Sequence, residues 1–316
     1  MFRRFHGDQV RWVMRILSLD EYFEYIAIDP PSQQNPQCEL CGTSDHLVLR
    51  DTARINDDLR VKFSMVCCRN CAHLYQLPRF DERFYRSYYN SAYRRILSGS
   101  QASVVEDQIS RGEHIYRSLE PYLPKKGTML DVGASAGGIM MAFRKRGWDT
   151  YGTDPDVGYV AYGIRNLQAD LAVACAEDMK LEPNTFDFIL ITGSLEHVFD
   201  SNKVLAICRR ASKQGALLFL EGRGLALTRQ KRACGHSHRR FLTQASIRLF
   251  MNKHGWSPMW TTDQELSGPT RPLSVFGLGQ SVETPPPPDG RSLVPETCSE
   301  AKLADIVRQF DAWGIE

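Results

Sequence analysis

The chain has 316 residues, of which 42% are hydrophobic and 24% charged, an ordinary globular balance that excludes a fibrous or mainly disordered protein. Its net charge of +2 gives no global reason to bind nucleic acid or an acidic membrane. No run of about 18 apolar residues occurs, and Arg11, Arg15, Asp20 and Glu21 interrupt the first apolar segment, so neither a membrane span nor an export signal is expected and the cytoplasm is the expected location.

In chain order, Val10, Val13, Met14, Leu17 and Tyr22 fall near helical spacing and predict one or two short helices before Asp29-Pro30-Pro31. From Cys38 to Tyr75 short polar and apolar pieces alternate around two C-x-x-C pairs, the pattern of a small β-rich module. A tyrosine-rich stretch (84–95) follows, with Tyr85, Tyr88, Tyr89 and Tyr93 readable as a lid over a substrate or as core, and then a helix over about 101–123. From 128 onward strands (128–133, 149–154, 186–193, 215–222) alternate with helices (138–147, 156–169, 201–212, 243–255), which predicts a parallel sheet with helices on both faces. A short strand after Asp170 and two last strands near 256–263 and 273–279 complete it, and Pro285–Pro288 lead to a helical tail over 299–314. The expected organisation is a helical segment over 1–35, a cysteine module with the aromatic stretch over 36–100, the alternating domain over 101–284, and a spacer with its tail over 285–316.

Chemistry concentrates at the first strand-to-helix turn, LDVGASAGG (130–138), where glycine lets backbone approach a ligand, and at Asp154, 21 residues past Gly133, placed to accept both hydroxyls of a ribose. A nicotinamide dinucleotide would call for G-x-G-x-x-G. This turn is D-x-G-x-x-x-G, with Ser135 at the middle glycine and the carboxylate of Asp131 at the strand end. That carboxylate is unfavourable beside a pyrophosphate and suits an amino-acid ammonium, which favours S-adenosylmethionine.

With YGTDPD, FDFILITGSLEHVFD and GALLFLEG in order after that turn, the stretch 128–255 resembles the class I methyltransferases. The resemblance implies an α/β protein with a doubly wound seven-stranded methyltransferase (Rossmann-like) sheet, to which the cysteine pairs add a small N-terminal zinc-binding domain. It implies cofactor contacts from Asp131, Gly133, Ala134, Ser135, Gly137, Asp154, Pro155, Thr192 and Gly193. The family commonly has an acid for the adenine amino group where this chain has Cys175, so Glu177 or the backbone near Ala176 is expected in that role.

Cys38, Cys41, Cys68 and Cys71 are four candidate thiolates for one tetrahedral zinc, closed and therefore structural. Cys67 alternates to the other side of an extended strand, and His46 and His73 read as surface residues or spare ligands. CELCG, CRNCAHLYQLPRF and the tyrosines resemble the zinc-binding front domain of bacterial sugar methyltransferases, including the deoxysugar C-methyltransferases, which act on nucleotide-linked sugars. A small anionic substrate, a nucleotide sugar, is the partner this implies. The runner-up is an RNA methyltransferase whose zinc module grips nucleic acid, weakened by Gly193-Ser194-Leu195-Glu196 standing where a base-amine enzyme carries an Asn/Asp-Pro-Pro motif.

Between Glu221 and Asp263 there is no acid, while Arg223, Arg229, Lys231, Arg232, Arg239, Arg240, Arg248 and Lys253 lie there with His236 and His238. An anion or a solvated basic loop fits that pattern, and Arg223, Arg239, Arg240 and Tyr88 are the expected substrate contacts. His197, preceded by Glu196, and His238 are the candidate catalytic groups. The sugar C-methyltransferases carry a glutamate before their equivalent of His238, where this chain has Ser237.

Overall fold

The computed structural model describes residues 15–34, 37–56, 58–89, 101–223, 235–270 and 274–283, together with 303, 304, 306 and 308. Its centre is a seven-stranded sheet built from β9 (Thr128–Val132), β10 (Asp149–Asp154), β11 (Asp170–Val173), β12 (Phe186–Thr192), β13 (Ser212–Arg223), β15 (Trp256–Thr262) and β16 (Ser274–Ser281). The spatial order is β11-β10-β9-β12-β13-β16-β15, with β16 antiparallel to both of its neighbours. The central strands are apolar runs because both faces are covered: Phe188, Ile189, Leu190 and Ile191 of β12 are all fully buried. Strand order reverses between β9 and β12, and there the carboxyl ends open the crevice in which doubly wound folds bind ligands. Asp131 pairs in register with Gly152 on one side and Leu190 on the other, at the centre of that edge.

Helices cover the sheet, among them α3 (Gln101–Leu119), α4 (Met140–Arg144), α5 (Val157–Leu167), α6 (Ser201–Ala211) and α7 (Gln244–Lys253). Asp156, Asp200 and Thr243 cap the last three by accepting a backbone N–H of the first turn. Among the described residues no helix is long and apolar enough to cross a membrane.

The front of the chain departs from the expected helices. Arg15–Leu17 form a strand, β1, parallel to β5 (Leu59–Val61), and only Leu19–Ile26 are helical as α1. Ser18 explains the switch, because its side chain and that of Glu21 form a reciprocal capping box that starts the helix there. Residues 9–14 lie outside the described residues. The first segment thus packs into the cysteine module: Leu17, Tyr22, Phe23 and Ile26 share a core with Phe63, Phe80, Phe84 and Tyr88.

The segments expected over 36–100 and 101–284 share one core rather than having one each. β14 (Arg240–Phe241), which follows β13 by sequence, pairs antiparallel with β7 (Leu74–Leu77) beside β6 (Ser64–Cys68) and β3 (His46–Arg50). One buried cluster runs from Cys38, Leu40, Cys68 and Tyr75 through Leu242, Ile247 and Phe250 to Ile189 and Leu220. Of the expected tail helix, the described Leu303 and Ile306 pack on Met65, Cys67, Leu74 and Phe241, so Cys67 is a core residue facing away from the other cysteines.

Candidate functional site

A cavity of about 270 Å³ opens at the carboxyl edge of β9, β10 and β12. Its lining contains ten of the eleven residues expected to hold a cofactor: Asp131, Gly133, Ala134, Ser135, Asp154, Pro155, Ala176, Glu177, Thr192 and Gly193. Gly137 is not among them; at φ +76° it packs against Ala169, Met140 and Leu171 and serves the turn. Gly133 needs its own freedom twice, for φ +78° and because a Cβ there would stand 2.5 Å from Ser194 Cβ. A larger residue at 133 therefore collides with the loop after β12 before it meets any ligand.

Asp131 is 1% exposed, and neither carboxylate oxygen has a hydrogen-bond partner. Burial pushes its pKa up to about 7, against the pull of the Arg111 charge. An orphaned carboxylate in a ligand cavity calls for a cation, since a buried unsatisfied group costs roughly 1–3 kcal/mol or more. Arg111, from α3, lines the same cavity; its Nη2 is bonded to Glu221 at 3.0 Å and its buried Nε has no partner. Glu221 is kept in place by the hydroxyls of Ser267 and Ser274. Together Asp131 and Arg111 offer opposite charges to an amino-acid zwitterion. Nothing in the spacing of α3 flags Arg111, because its ion-pair partner Glu221 lies 110 residues away on β13.

Asp154 is oriented by two backbone donors, Ser135 N–H on Oδ2 and Asp156 N–H on Oδ1, each at 2.8 Å. Glu177 uses Oε1 to hold the N–H groups of Phe199 at 2.6 Å and Asp200 at 3.2 Å. It therefore ties the loop after β12 to the 175–177 side of the cavity, a long-range tie that Glu177's place in the sequence does not announce.

His197 lines the cavity, and its ring lies 4.8 Å from that of His238. Its Nδ1 is 2.8 Å from the Tyr89 hydroxyl, which in turn donates to the Ser237 carbonyl at 3.0 Å. With that hydroxyl hydrogen directed at Ser237, the Tyr89 oxygen accepts from Nδ1–H, and Nε2 becomes the basic nitrogen. Ser237 thus contributes through its backbone. Tyr85 and Tyr89 both line the cavity, whereas Tyr93 lies outside the described residues.

Several expected substrate and catalytic contacts are placed elsewhere. Tyr88 is 2% exposed in the front core, its hydroxyl 2.7 Å from His236 Nε2; burial brings the His236 pKa down to about 4, so that residue adds no positive charge near neutrality. Glu196 is fully buried and outside the cavity lining; its charge helps to keep the Arg240 guanidinium protonated. Arg240 is fully buried, bound to Glu39 through Nε at 2.6 Å and Nη2 at 2.8 Å, and it cannot meet a substrate. Arg239 lies between the Tyr85 and Phe199 rings, 3.9 and 4.7 Å from their centroids, with Nε and Nη1 unpartnered. Arg223 ends β13, Lys253 bonds the carbonyls of Glu39 and Leu40, and Arg248 faces solvent. Arg229, Lys231 and Arg232 lie outside the described residues, so the described part of the basic run divides among separate tasks.

The sulfurs of Cys38, Cys41, Cys68 and Cys71 all lie within 4.8 Å of one another, with the pairs Cys38–Cys71 at 3.6 Å and Cys41–Cys68 at 3.5 Å. Four ligands at ~2.3 Å from a tetrahedral zinc stand about 3.8 Å apart, so the arrangement fits that ion. His46 and His73 are not spare ligands: His46 Nδ1 bonds the Ser44 carbonyl, and His73, fully buried and not at the surface, bonds Glu39 at 2.9 Å.

The family model described as a methyltransferase domain matches residues 130–220. Among solved structures, the chain is similar to a SAM-dependent methyltransferase from Aquifex aeolicus (20% identity, 58% of this chain and 100% of that one, TM-score 0.46). It is similar as well to one from Archaeoglobus fulgidus (14%, 64% and 100%, TM-score 0.47) and one from Methanosarcina mazei (16%, 53% and 98%, TM-score 0.47). No curated protein matches it. Residues 130–220 of the chain thus form a methyltransferase domain.

Proposed function

We propose that the chain transfers the methyl group of S-adenosylmethionine to a sugar, nucleotide-linked or within a glycan, in polysaccharide or natural-product biosynthesis in the cytoplasm. The observation that carries the reading is the His197–His238 pair, 4.8 Å apart where the cofactor cavity meets the tyrosines of the front module. Bound there, the cofactor supplies an electrophilic methyl on a sulfonium. Asp131 would take its ammonium, Asp154 its ribose hydroxyls, and the backbone of 133–135 would face the methionine moiety. His197, its Nδ1 proton fixed by Tyr89, accepts the acceptor's proton at Nε2, while positioning supplies much of the acceleration. The four thiolates hold one zinc, which shapes the front module and takes no part in the chemistry.

Incubation with labelled S-adenosylmethionine and a panel of nucleotide sugars, with tRNA and rRNA as controls, tests this. Label is expected on a sugar; label on RNA alone would sink the reading.

A further inference from the structure

The loop that carries His197 is held from outside the sheet. Arg240 donates through Nη1 to the carbonyls of Leu195 and Val198, the latter at 2.9 Å, and through Nη2 to that of Phe199 at 3.4 Å. Its remaining donors meet both oxygens of Glu39, 201 residues away in sequence. Glu39 stands inside the first C-x-x-C loop, between Cys38 and Cys41, and it is fixed in turn by the Ser201 hydroxyl at 2.7 Å and His73 Nε2 at 2.9 Å. A rigid fork is thus clamped to the cysteine loop at one end and to three carbonyls flanking His197 at the other.

Stability does not explain this arrangement, because a buried ion pair is commonly matched or bettered by apolar residues of the same volume. What apolar residues cannot reproduce is directed hydrogen bonding to those three carbonyls. Val198 and Phe199 line the cofactor cavity beside His197, and displacing a catalytic loop by ~1 Å can cost about a hundredfold. We propose that Glu39 and Arg240 are positioning residues, through which the metal-binding cysteine loop sets the 195–199 segment and thereby the shape of the cofactor site. The proposal rests on the methyltransferase and zinc readings for the identity of the two ligands.

The test compares wild type with Arg240→Met, Glu39→Gln and the double variant Glu39→Gln/Arg240→Met. It measures Tm, zinc content, calorimetric binding of S-adenosylhomocysteine and amide exchange over 194–200. Arg240→Met leaves the buried Glu39 carboxylate with Arg79, 3.6 Å away, as its remaining arginine and should lower Tm by roughly 10 °C. The double variant removes both charges of the pair and leaves Arg79 without Glu39, so Tm should recover most of that loss with zinc retained. Exchange at His197, Phe199 and Asp200 should nevertheless stay raised by ~10-fold or more, and binding should stay weakened by about tenfold. Recovery of loop protection and affinity together with Tm would overturn the proposal, since the pair would then be an ordinary structural contact. Wild-type protein that binds no S-adenosylhomocysteine would sink the cofactor reading alone, and protein without zinc the metal reading alone; the exchange data decide the proposal in either event.

Discussion

The carboxyl edge of the sheet and the cysteine module behind it are built by opposite means. At the edge, ligand groups come from short contiguous stretches, LDVGASAGG and YGTDPD, and Asp154 is aimed by one backbone N–H from each, Ser135 and Asp156. In the module, long-range polar contacts decide: Glu39 with Arg240, Lys253 and Ser201. A site made of local motifs survives changes elsewhere in the chain, whereas one made of distant pairs makes its two halves interdependent.

The largest effect expected at the edge is that of Asp154→Ala. It removes two charge-assisted bonds to ribose, each worth about 1.5–3 kcal/mol, and frees the N–H groups of Ser135 and Asp156. Calorimetry should detect no S-adenosylmethionine binding; unchanged affinity would place the ribose acid elsewhere. The matching break in the module is Cys38→Ser/Cys41→Ser. Metal analysis should fall from about one zinc per chain to none, and far-UV circular dichroism should show the module unfolded. Because the cluster around Cys38 and Cys68 is continuous with Leu220 and Ile247, cofactor affinity should fall too. Full retention of affinity would restore the picture of two independent cores.

The same contrast explains what was legible in the sequence. Strands β9, β12 and β13 stand out because a buried parallel strand is apolar along most of its length, and Asp131 and Asp154 stand out because fold and ligand impose their spacing. Arg240 was legible as a basic residue near the active edge, but only Glu39, contributed by another part of the fold, makes it a buried clamp. Tyr88 and Tyr89 are adjacent and identical in type, yet one closes the front core and the other aligns His197. β1 reads as helical by spacing because its three residues are too few to show alternation.

Effects on turnover should be somewhat smaller. His197→Asn should lower kcat by roughly a hundredfold or more, the scale of a lost general base, with cofactor affinity near normal. His238→Asn should raise the acceptor KM more than it lowers kcat. The reverse pattern would move the base to His238. Arg111→Met should weaken S-adenosylhomocysteine by about tenfold or more, as for a lost charge-assisted bond, and leave 5′-methylthioadenosine, which lacks the amino-acid group, nearly unaffected. Equal losses for both ligands would make Arg111 a support for Glu221 only.

The smallest effect is a pH dependence centred on Asp131. Burial holds its pKa at about 7, above the ordinary value for an unfolded aspartate. Between those two values the folded state binds more protons than the unfolded one, so this group makes stability fall as pH rises and level off once the folded carboxyl has ionised. Binding runs the other way, because only the carboxylate attracts an ammonium. Affinity for S-adenosylhomocysteine should therefore rise by up to about tenfold between pH 6 and 8, since one pKa unit corresponds to 1.36 kcal/mol, while that of 5′-methylthioadenosine stays flat. Asp131→Asn should bind S-adenosylhomocysteine weakly at every pH and be more stable than wild type at pH 8, having no buried charge to desolvate. A rise with pH that persists in Asp131→Asn would assign the titration to another group and remove Asp131 from the ammonium site.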